Sequence, residues 1–407
     1  MPYDVKTVMA DVFKVRYPRE VIADLGFRQQ AILPFLEKIR GKYGGKNYSF
    51  TILTHRGHDT QYYPEDGTLA TPTAEEYKRG YLDPTNIVTR QNLYQSVISD
   101  SADSEGSLFN VLVELPRRIA KNHAFAIANH AWAHDSLGAL AVCGTTSSST
   151  TVQLDDQANT RKFFRGMIVD ICTASTGTAT TNGDSVTISA IDDDNKTITI
   201  SGSGVTTSSA ESVYLQDSHS ETTPYVWNSI PTLVGTGNVH NIDTSSYPEF
   251  VSYANTNTGT LTFAKIQAMV DWIEARHEGG NKGLVMYASP EVIIKYADIL
   301  LPDQRRLDLA DMKKFIGGYP TTMYYSGGTI GIIPILKDNL MPTDELFLLS
   351  PDAFRLYTPA WWEWFPPTGR HLIPSDTTLG YELRFFSRGN LGIHDRSGTG
   401  KLQAITI

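Results

Sequence analysis

Two strand-like runs, YSFTILT (Tyr48 to Thr54) and IVTRQNLYQSVIS (Ile87 to Ser99), are joined by HRGHDTQYYPEDGTLATPTAEEYKRGYLDPTN, a segment with no apolar periodicity. Compact domains rarely carry so long a loop unless it is functional or disordered. Tyr62, Tyr63, Tyr77 and Tyr81 lie within it and argue against plain disorder, because aromatic side chains are what contact surfaces use. Such a segment is awkward in a monomeric enzyme and natural in a chain that touches neighbours.

With 407 residues, of which 41% are hydrophobic and 19% charged, the chain has material for roughly two to four folded units. A formal net charge of -9 excludes a protein whose task is wholesale phosphate neutralisation. Cys143 and Cys172 have no ligand spacing, which excludes a disulfide framework or a cysteine-based zinc site. The opening MPYDVKTVMADVFKVRYPREV has no apolar core or cleavage site, and no run approaches 18 apolar residues, so we expect folding in a cytoplasm and no membrane contact.

Residues 1–47 read as a polar arm with one short helical pattern at Ala31, Ile32, Phe35, Leu36 and Ile39, ended by Gly41. Residues 48–99 read as an extended two-stranded loop. The longest helical pattern runs from Ser107 to Val142, with Pro116 expected to kink it or to start a second helix. Composition then changes abruptly, since 25 of the 66 positions from Thr145 to Ala210 are Ser or Thr. Strand signals replace helix propensity there: STTVQL, RGMIVDIC, SVYLQ, and a hairpin of Val186, Ile188 and Ala190 against Ile198 and Ile200 around the turn DDDNK. Residues 145–224 thus read as an inserted all-β domain. A polar connector, 225–261, precedes an α/β stretch. There Phe263, Ile266, Met269, Val270 and Ile273 form one helix face, Ser289 caps a second helix, and TIGIIPIL and ELFLLS are strands. YELRFFSRGNLGIHDRSGTGKLQAITI closes the chain as two or three strands, giving an α+β chain with an insertion.

Few constellations point to chemistry. His123, His130 and His134 share a helix face and suggest a metal site, but nothing completes an HExxH pattern; the alternative is solvent-facing or interface histidines. His55 and His58 make a weaker pair. There is no GxSxG and no phosphate loop; Gly279-Gly280, Gly317-Gly318 and Gly327-Gly328 read as helix stops and turns. The run Asp192 to Asn195 reads as a solvated turn rather than a calcium loop. Arg117, Arg118 and Lys121, with Arg305-Arg306 and Lys313-Lys314, are short basic clusters suited either to a polyanion or acidic neighbour, or to an ordinary charged face. Trp361, Trp362, Trp364 and Phe365 can form a sugar platform, or buried packing.

The order of elements, and the segments TIGIIPILKDNLMPTDELFLLSPDAFRLY and YELRFFSRGNLGIHDRSGTGKLQAITI, resemble those of tailed-phage major capsid proteins of the Hong Kong 97 fold. The resemblance covers nearly the whole chain. It implies an N-terminal arm (1–47), an extended β-hairpin E-loop opening the peripheral domain (48–99), a spine helix (100–144), an inserted barrel-like β-domain (145–224), a connector (225–261), an axial domain (262–357) and closing peripheral strands (358–407). It further implies a non-enzymatic coat protein with no cofactor or metal. Such a protein assembles in a host cytoplasm with itself into pentamers and hexamers, and forms the icosahedral virion head around double-stranded DNA. Scaffolding and portal proteins, and a possible decoration protein, are the implied partners, with non-specific DNA contact. Tyr62, Tyr63, Tyr77, Arg79, Tyr81, Arg117, Arg118 and Lys121 are the expected inter-subunit contacts. Two rival readings remain: a carbohydrate-binding tail or adhesin protein, from the Ser/Thr-rich β-domain and the tryptophans, and a metal-dependent hydrolase using the three histidines.

Overall fold

The computed structural model describes residues 32–36, 38–39, 47–55, 57, 60, 62, 71, 73–97, 111–173, 178–219, 225–277, 283–304, 323–327, 331–364, 373–374 and 379–407. Its first sheet is organised by the long strand Gly380–Ile393, in which Leu383, Phe385, Leu391 and Ile393 turn inward at the period of two that a pleated strand imposes. On one side it pairs antiparallel with Phe354–Trp364 and, near its start, with Ile373–Pro374; on the other it pairs antiparallel with Thr85–Tyr94. The expected strand from Ile87 to Ser99 therefore stops at Tyr94, and Gln95 to Val97 are helical.

The arm contributes more to this body than expected. Its helical pattern yields only Ile32–Phe35, after which Lys38–Ile39 form a strand parallel to Leu356 and Tyr357. Ile32 and Leu36 are buried in the main core of their own chain.

The long helix spans Val111–Ala131 without a break, and Pro116 lies within it. It lies across the first sheet, with Ile119 packed among Leu93, Leu383 and Phe385. It does not reach Val142, because the sequence after Trp132 closes a turn instead. Asp135 Oδ1 accepts from the amides of Leu137 (3.0 Å) and Ala139 (2.8 Å), His134 N donates to Ala139 O (2.8 Å), and Gly138 has φ +91°. A Cβ on Gly138 would stand 2.7 Å from Val226, so only glycine fits this turn.

Beyond the turn the chain builds a small barrel. Six strands run in the order Ala141–Val142, Glu211–Leu215, Ile168–Thr173, Val186–Asp192, Thr197–Ile200, Thr151–Gln153. The bridge Cys143↔Leu154 joins the two edges, and Thr146–Ser149 pairs separately with Val205–Thr207. Closure leaves no open edge in the larger sheet. Val152, Val169, Ile171, Ile188, Ile198 and Val213 fill a core separate from the main one. The pairing begins at Ala141, inside the segment expected to be helix. In the turn DDDNK, Asp192 Oδ1 accepts from the amides of Asp194 and Asn195, and Lys196 adopts φ +52°.

Residues 155–163 fasten the barrel to the body. Asn159 Nδ2 donates to Asn339 O (2.8 Å) and Met341 O (2.5 Å), and Thr343 Oγ1 donates to Gln157 O (3.0 Å). Lys162, fully buried, donates from Nζ to Trp132 O (2.6 Å) and Leu140 O (3.1 Å), and burial pulls its ammonium down to about 8.

The second sheet runs Tyr253–Asn255, Thr399–Leu402, Leu346–Leu349, Val285–Ala288, Gly331–Lys337, Met323–Gly327. Its strand Leu346–Leu349 is buried at every position, as an apolar run in the middle of a sheet requires. The helices Phe263–Arg276 and Pro290–Gln304 bury Ile266, Met269, Val270, Ile273 and Val292 against it. Thr262, which the sequence reading did not name, caps the first, and Ser289, the expected cap of the second, accepts through Oγ from Val292 N (3.2 Å) while donating to Thr343 O (2.6 Å). The C-terminal run, expected to stay with the peripheral strands, divides. Gly380–Ile393 belongs to the first sheet and Thr399–Leu402 to the second.

The turn between those two strands carries Arg396, a wholly buried guanidinium. Its Nε donates to Leu233 O (3.1 Å), Nη1 to Gly237 O (2.7 Å) and Phe250 O (3.2 Å), and Nη2 to Gly235 O. The segment 225–261 is thereby far more than a polar connector. Trp227, Ile230, Leu233, Val234, Ile242 and Phe250 all enter the main core, and its free carbonyls close on one arginine. We expect Arg396→Met to destabilise the subunit by about 3–5 kcal/mol, because four buried carbonyls lose their donor, and Arg396→Lys to recover only part of it. Urea unfolding of the dispersed subunit measures this; a loss under about 1 kcal/mol would contradict the account.

Candidate assembly interface

Strands Tyr48–His55 and Glu76–Leu82 pair as an antiparallel hairpin, so the expected two-stranded loop exists and its second strand is EYKRGYL. The register sorts the side chains. Phe50, Ile52, Gly80 and Leu82 turn inward, while Tyr77, Arg79 and Tyr81, at alternate positions, share the outward face. Leu53 stands opposite Tyr77 on that face; Leu53, Tyr77 and Tyr81 are 40%, 57% and 41% exposed. The sequence reading missed Leu53, although the alternation of YSFTILTH held the signal. Tyr77 Oη donates to Glu75 Oε2 (2.5 Å), and the neighbouring carboxylate raises the phenol above its ordinary pKa. Tyr62 is fully exposed, and Tyr63 lies outside the described residues.

The inward face is seated on segments far away in sequence. Tyr81 N donates to His240 O (3.1 Å), Tyr247 Oη to Glu76 Oε1 (3.0 Å), and Lys78 Nζ stands 5.1 Å from the Tyr247 ring centroid. Phe50 packs against His394 (4.2 Å between centroids), His240 (5.3 Å) and Tyr357 (6.3 Å, stacked). A Cβ on Gly80 would come within 2.9 Å of the Phe50 ring, so this residue lets the two strands sit flat on the body. His240 Nε2 accepts from Ile393 N (3.1 Å), and His394 Nε2 lies 2.5 Å from Tyr357 Oη. Burial lowers His240 to about 3 and His394 to about 4.

The helix places Arg117 and Lys121 one turn apart on an exposed ridge, with Arg118 half-buried beside them. Arg305, Arg306, Lys313 and Lys314 lie outside the described residues. His123, His130 and His134 do not converge, and His134 lies past the end of the helix. His123 is buried between Thr89 Oγ1 (2.9 Å) and Ser387 Oγ (2.8 Å), pinning helix to sheet, and burial lowers it to about 4. His130 is buried with Nδ1 on Ala126 O (2.9 Å), and His134 is exposed. Two of them are thus internal, neither metal-ligating nor solvent-facing, and no group of three His, Cys, Asp or Glu among the described residues can hold a metal ion. Burial raises the thiols of Cys143 and Cys172 to about 12 and about 11, which makes both poor nucleophiles. Trp361 packs on Trp227 (5.9 Å) and Trp364 on Phe385 (4.9 Å), so these two rings serve packing rather than a flat sugar platform; the side chains of Trp362 and Phe365 lie outside the description.

No protein-family profile and no curated protein matches the sequence. Solved structures do match. A chain of the cyanophage A-1(L) capsid asymmetric unit is similar, at 15% identity and a TM-score of 0.55, over 98% of this chain and 98% of that one. A chain of the capsid of a native GTA particle is similar at 9% identity and a TM-score of 0.50, over 96% of each. The chain has the α+β, Hong Kong 97-like fold of phage capsid proteins.

His123, His240 and His394 are held neutral against an ordinary value of 6.5, so the unfolded chain takes up protons below that pH that the folded chain refuses. Their effect is absent above pH 7 and grows as pH falls from 6.5 towards 4. We expect stability to drop by at least about 2 kcal/mol between pH 6.5 and 5. A His240→Gln, His394→Gln variant should show a smaller drop. Urea midpoints at pH 7, 6 and 5 test this, and equal slopes for the two proteins would refute it.

Proposed function

We propose that this chain is the major capsid protein of a tailed phage, a structural subunit that assembles with itself into pentamers and hexamers of an icosahedral head around double-stranded DNA. The observation that carries the reading is the two-faced hairpin. Its inward face is used up by the subunit's own histidines and tyrosines, and its outward row of Tyr77, Arg79 and Tyr81 with Leu53 has an apolar and aromatic character that only another molecule covers. A full-length likeness to capsid chains supports the same reading. The ridge of Arg117 and Lys121 is a second contact candidate, suited to an acidic neighbour or to packaged DNA. We read the barrel, 141–215, as the inserted domain and the two sheets as the peripheral and axial parts of the shell subunit. Scaffolding, portal and decoration proteins follow as partners, and the virion, assembled in a host cytoplasm, as the location. Internal histidines and packed tryptophans favour neither the hydrolase nor the adhesin.

Negative-stain microscopy of the overexpressed chain should reveal shells, tubes or capsomers. A monomer at high concentration, with or without a scaffolding partner, would overturn the proposal. Replacing Tyr77 and Tyr81 by Ala should raise the concentration needed for assembly by about tenfold or more, the usual effect of truncating central aromatic contacts, while far-ultraviolet circular dichroism stays unchanged. Unaltered assembly in that variant would remove the hairpin row from the interface.

A further inference from the structure

The floor under the hairpin is built around two imidazoles. His240 occupies the turn 239–242, where it and Asn241 adopt left-handed backbone angles, φ +52° and +64°, and Val239 bridges to Ile242. From that turn its carbonyl accepts from Tyr81 N (3.1 Å), its ring lies 5.3 Å from that of Phe50, and a Cβ on Gly80 would stand 3.5 Å from its own Cβ. His394 packs on the same Phe50 ring at 4.2 Å. Phe50 and His240 are both buried, so the hairpin is the cover over this floor. Among the described residues the hairpin is also a sheet of its own, paired with neither large sheet, and it can leave them without breaking a ladder.

More than burial opposes a proton here. His240 Nε2 already accepts from Ile393 N (3.1 Å), so Nδ1 carries the single proton, and a second proton on Nε2 would set two donors against each other. His394 Nε2 is engaged with Tyr357 Oη at 2.5 Å. The charges that bear on the rings are positive: the Arg396 guanidinium and a charged His394 on His240, and the Arg355 guanidinium on His394. From the hairpin, the facing side chains are the apolar Phe50, Ile52 and Leu82, with Tyr48 against Tyr357 at 4.9 Å, while Glu76 and Lys78 stand at Tyr247 instead. A cation formed between these groups gains solvation only by coming out from under Phe50.

We propose that the hairpin is a latch released by acid: when His240 and His394 take up protons, strands Tyr48–His55 and Glu76–Leu82 lift from His240, Tyr357 and His394 while both large sheets and the barrel stay folded. Above pH 6.5 the rings are neutral in either state and the latch stays shut; as pH falls from 6.5 towards 4, the open form takes up protons that the shut form refuses, and opening grows. The consequence for assembly rests on the function proposed above: the row of Leu53, Tyr77, Arg79 and Tyr81 loses its fixed direction, so acid weakens the contact between subunits.

Amide hydrogen exchange of the dispersed subunit at pH 7, 6 and 5 tests the latch without any assembly. The Tyr81 amide, whose acceptor is His240 O, and the Ile393 amide, whose acceptor is His240 Nε2, should lose protection by at least about twentyfold from pH 7 to 5, the factor for returning a single imidazole from about 4 to 6.5. Low urea should leave that exchange unchanged, as for a local opening, while Leu348 in the second sheet and Val169 in the barrel stay more strongly protected. Protection at Tyr81 that does not change with pH, or exchange there no faster than at Leu348, overturns the proposal. A His240→Gln, His394→Gln variant should lose the pH dependence at Tyr81, and His123→Gln, altered outside the seat, should keep it; the reverse also overturns the latch, and the wild-type result decides alone if the double variant does not fold. Light scattering then separates the two readings. Weaker assembly at pH 5.5 than at pH 7 in wild type, and not in the double variant, supports the link to assembly. Opening with unaltered assembly overturns that link and leaves the latch, and absence of particles at any pH overturns the assembly reading alone.

Discussion

The buried guanidinium of Arg396 ties the turn between the two sheets to segment 225–261, whose apolar side chains fill the main core. It sits between the last strand of the first sheet and the strand that enters the second. A charge in that position is expensive unless its donors are used, and here four carbonyls of segment 225–261 use them. The same segment turns at His240, whose carbonyl accepts from Tyr81 and whose ring accepts from Ile393. Hairpin, connector and both sheets are thus one hydrogen-bonded unit rather than parts strung along a chain.

That unit explains how the hairpin strands keep a defined orientation. A two-stranded ribbon alone is marginally stable in water. This one borrows a floor: Phe50 lies among His240, Tyr357 and His394, and Tyr247 braces Glu76 and Lys78. With its inward face committed, the outward row of tyrosines is free to meet a neighbour. The barrel is braced in the same way. Lys162 bonds one carbonyl just past the long helix, Trp132 O, and one where the barrel begins, Leu140 O, and Asn159 ties the barrel to the loop between strands Gly331–Lys337 and Leu346–Leu349. Hairpin and barrel are thus both anchored to the body by polar contacts.

Elements with a strong local period were legible before any coordinates: the helix face of Ile266, Met269, Val270 and Ile273, the cap Ser289, the hairpin around Asp192, and the strands Gly331–Lys337 and Leu346–Leu349. Tyr77, Arg79 and Tyr81, expected as a contact set, share one exposed face of the hairpin; that they meet a neighbour is the proposal made above. The misreadings share a cause. The long helix was extended past Ala131 because alanines and leucines continue, yet Asp135 and Gly138 close a turn against Val226. The histidines looked like a ligand set because helical spacing aligns them, yet the sheet claims His123 and the helix's own Ala126 carbonyl claims His130. Segment 225–261 looked polar because Ser, Thr, Asn and Gly dominate it, and composition does not reveal that its carbonyls face one arginine.

Alone, the sequence determined the α+β class, the β-rich character of the stretch after Thr145, the inward and outward sides of the strongly periodic elements, and the presence of a long aromatic loop. Those follow from near-neighbour sterics and from side-chain periods that act within a few residues. Only the tertiary structure decided that Thr399–Leu402 leaves one sheet for the other, that the barrel closes through Cys143 and Leu154, and that Arg396, His240 and Lys162 are buried ties. Each of these joins residues many positions apart, where the energy depends on which donor finds which carbonyl after collapse, and no local pattern encodes that pairing.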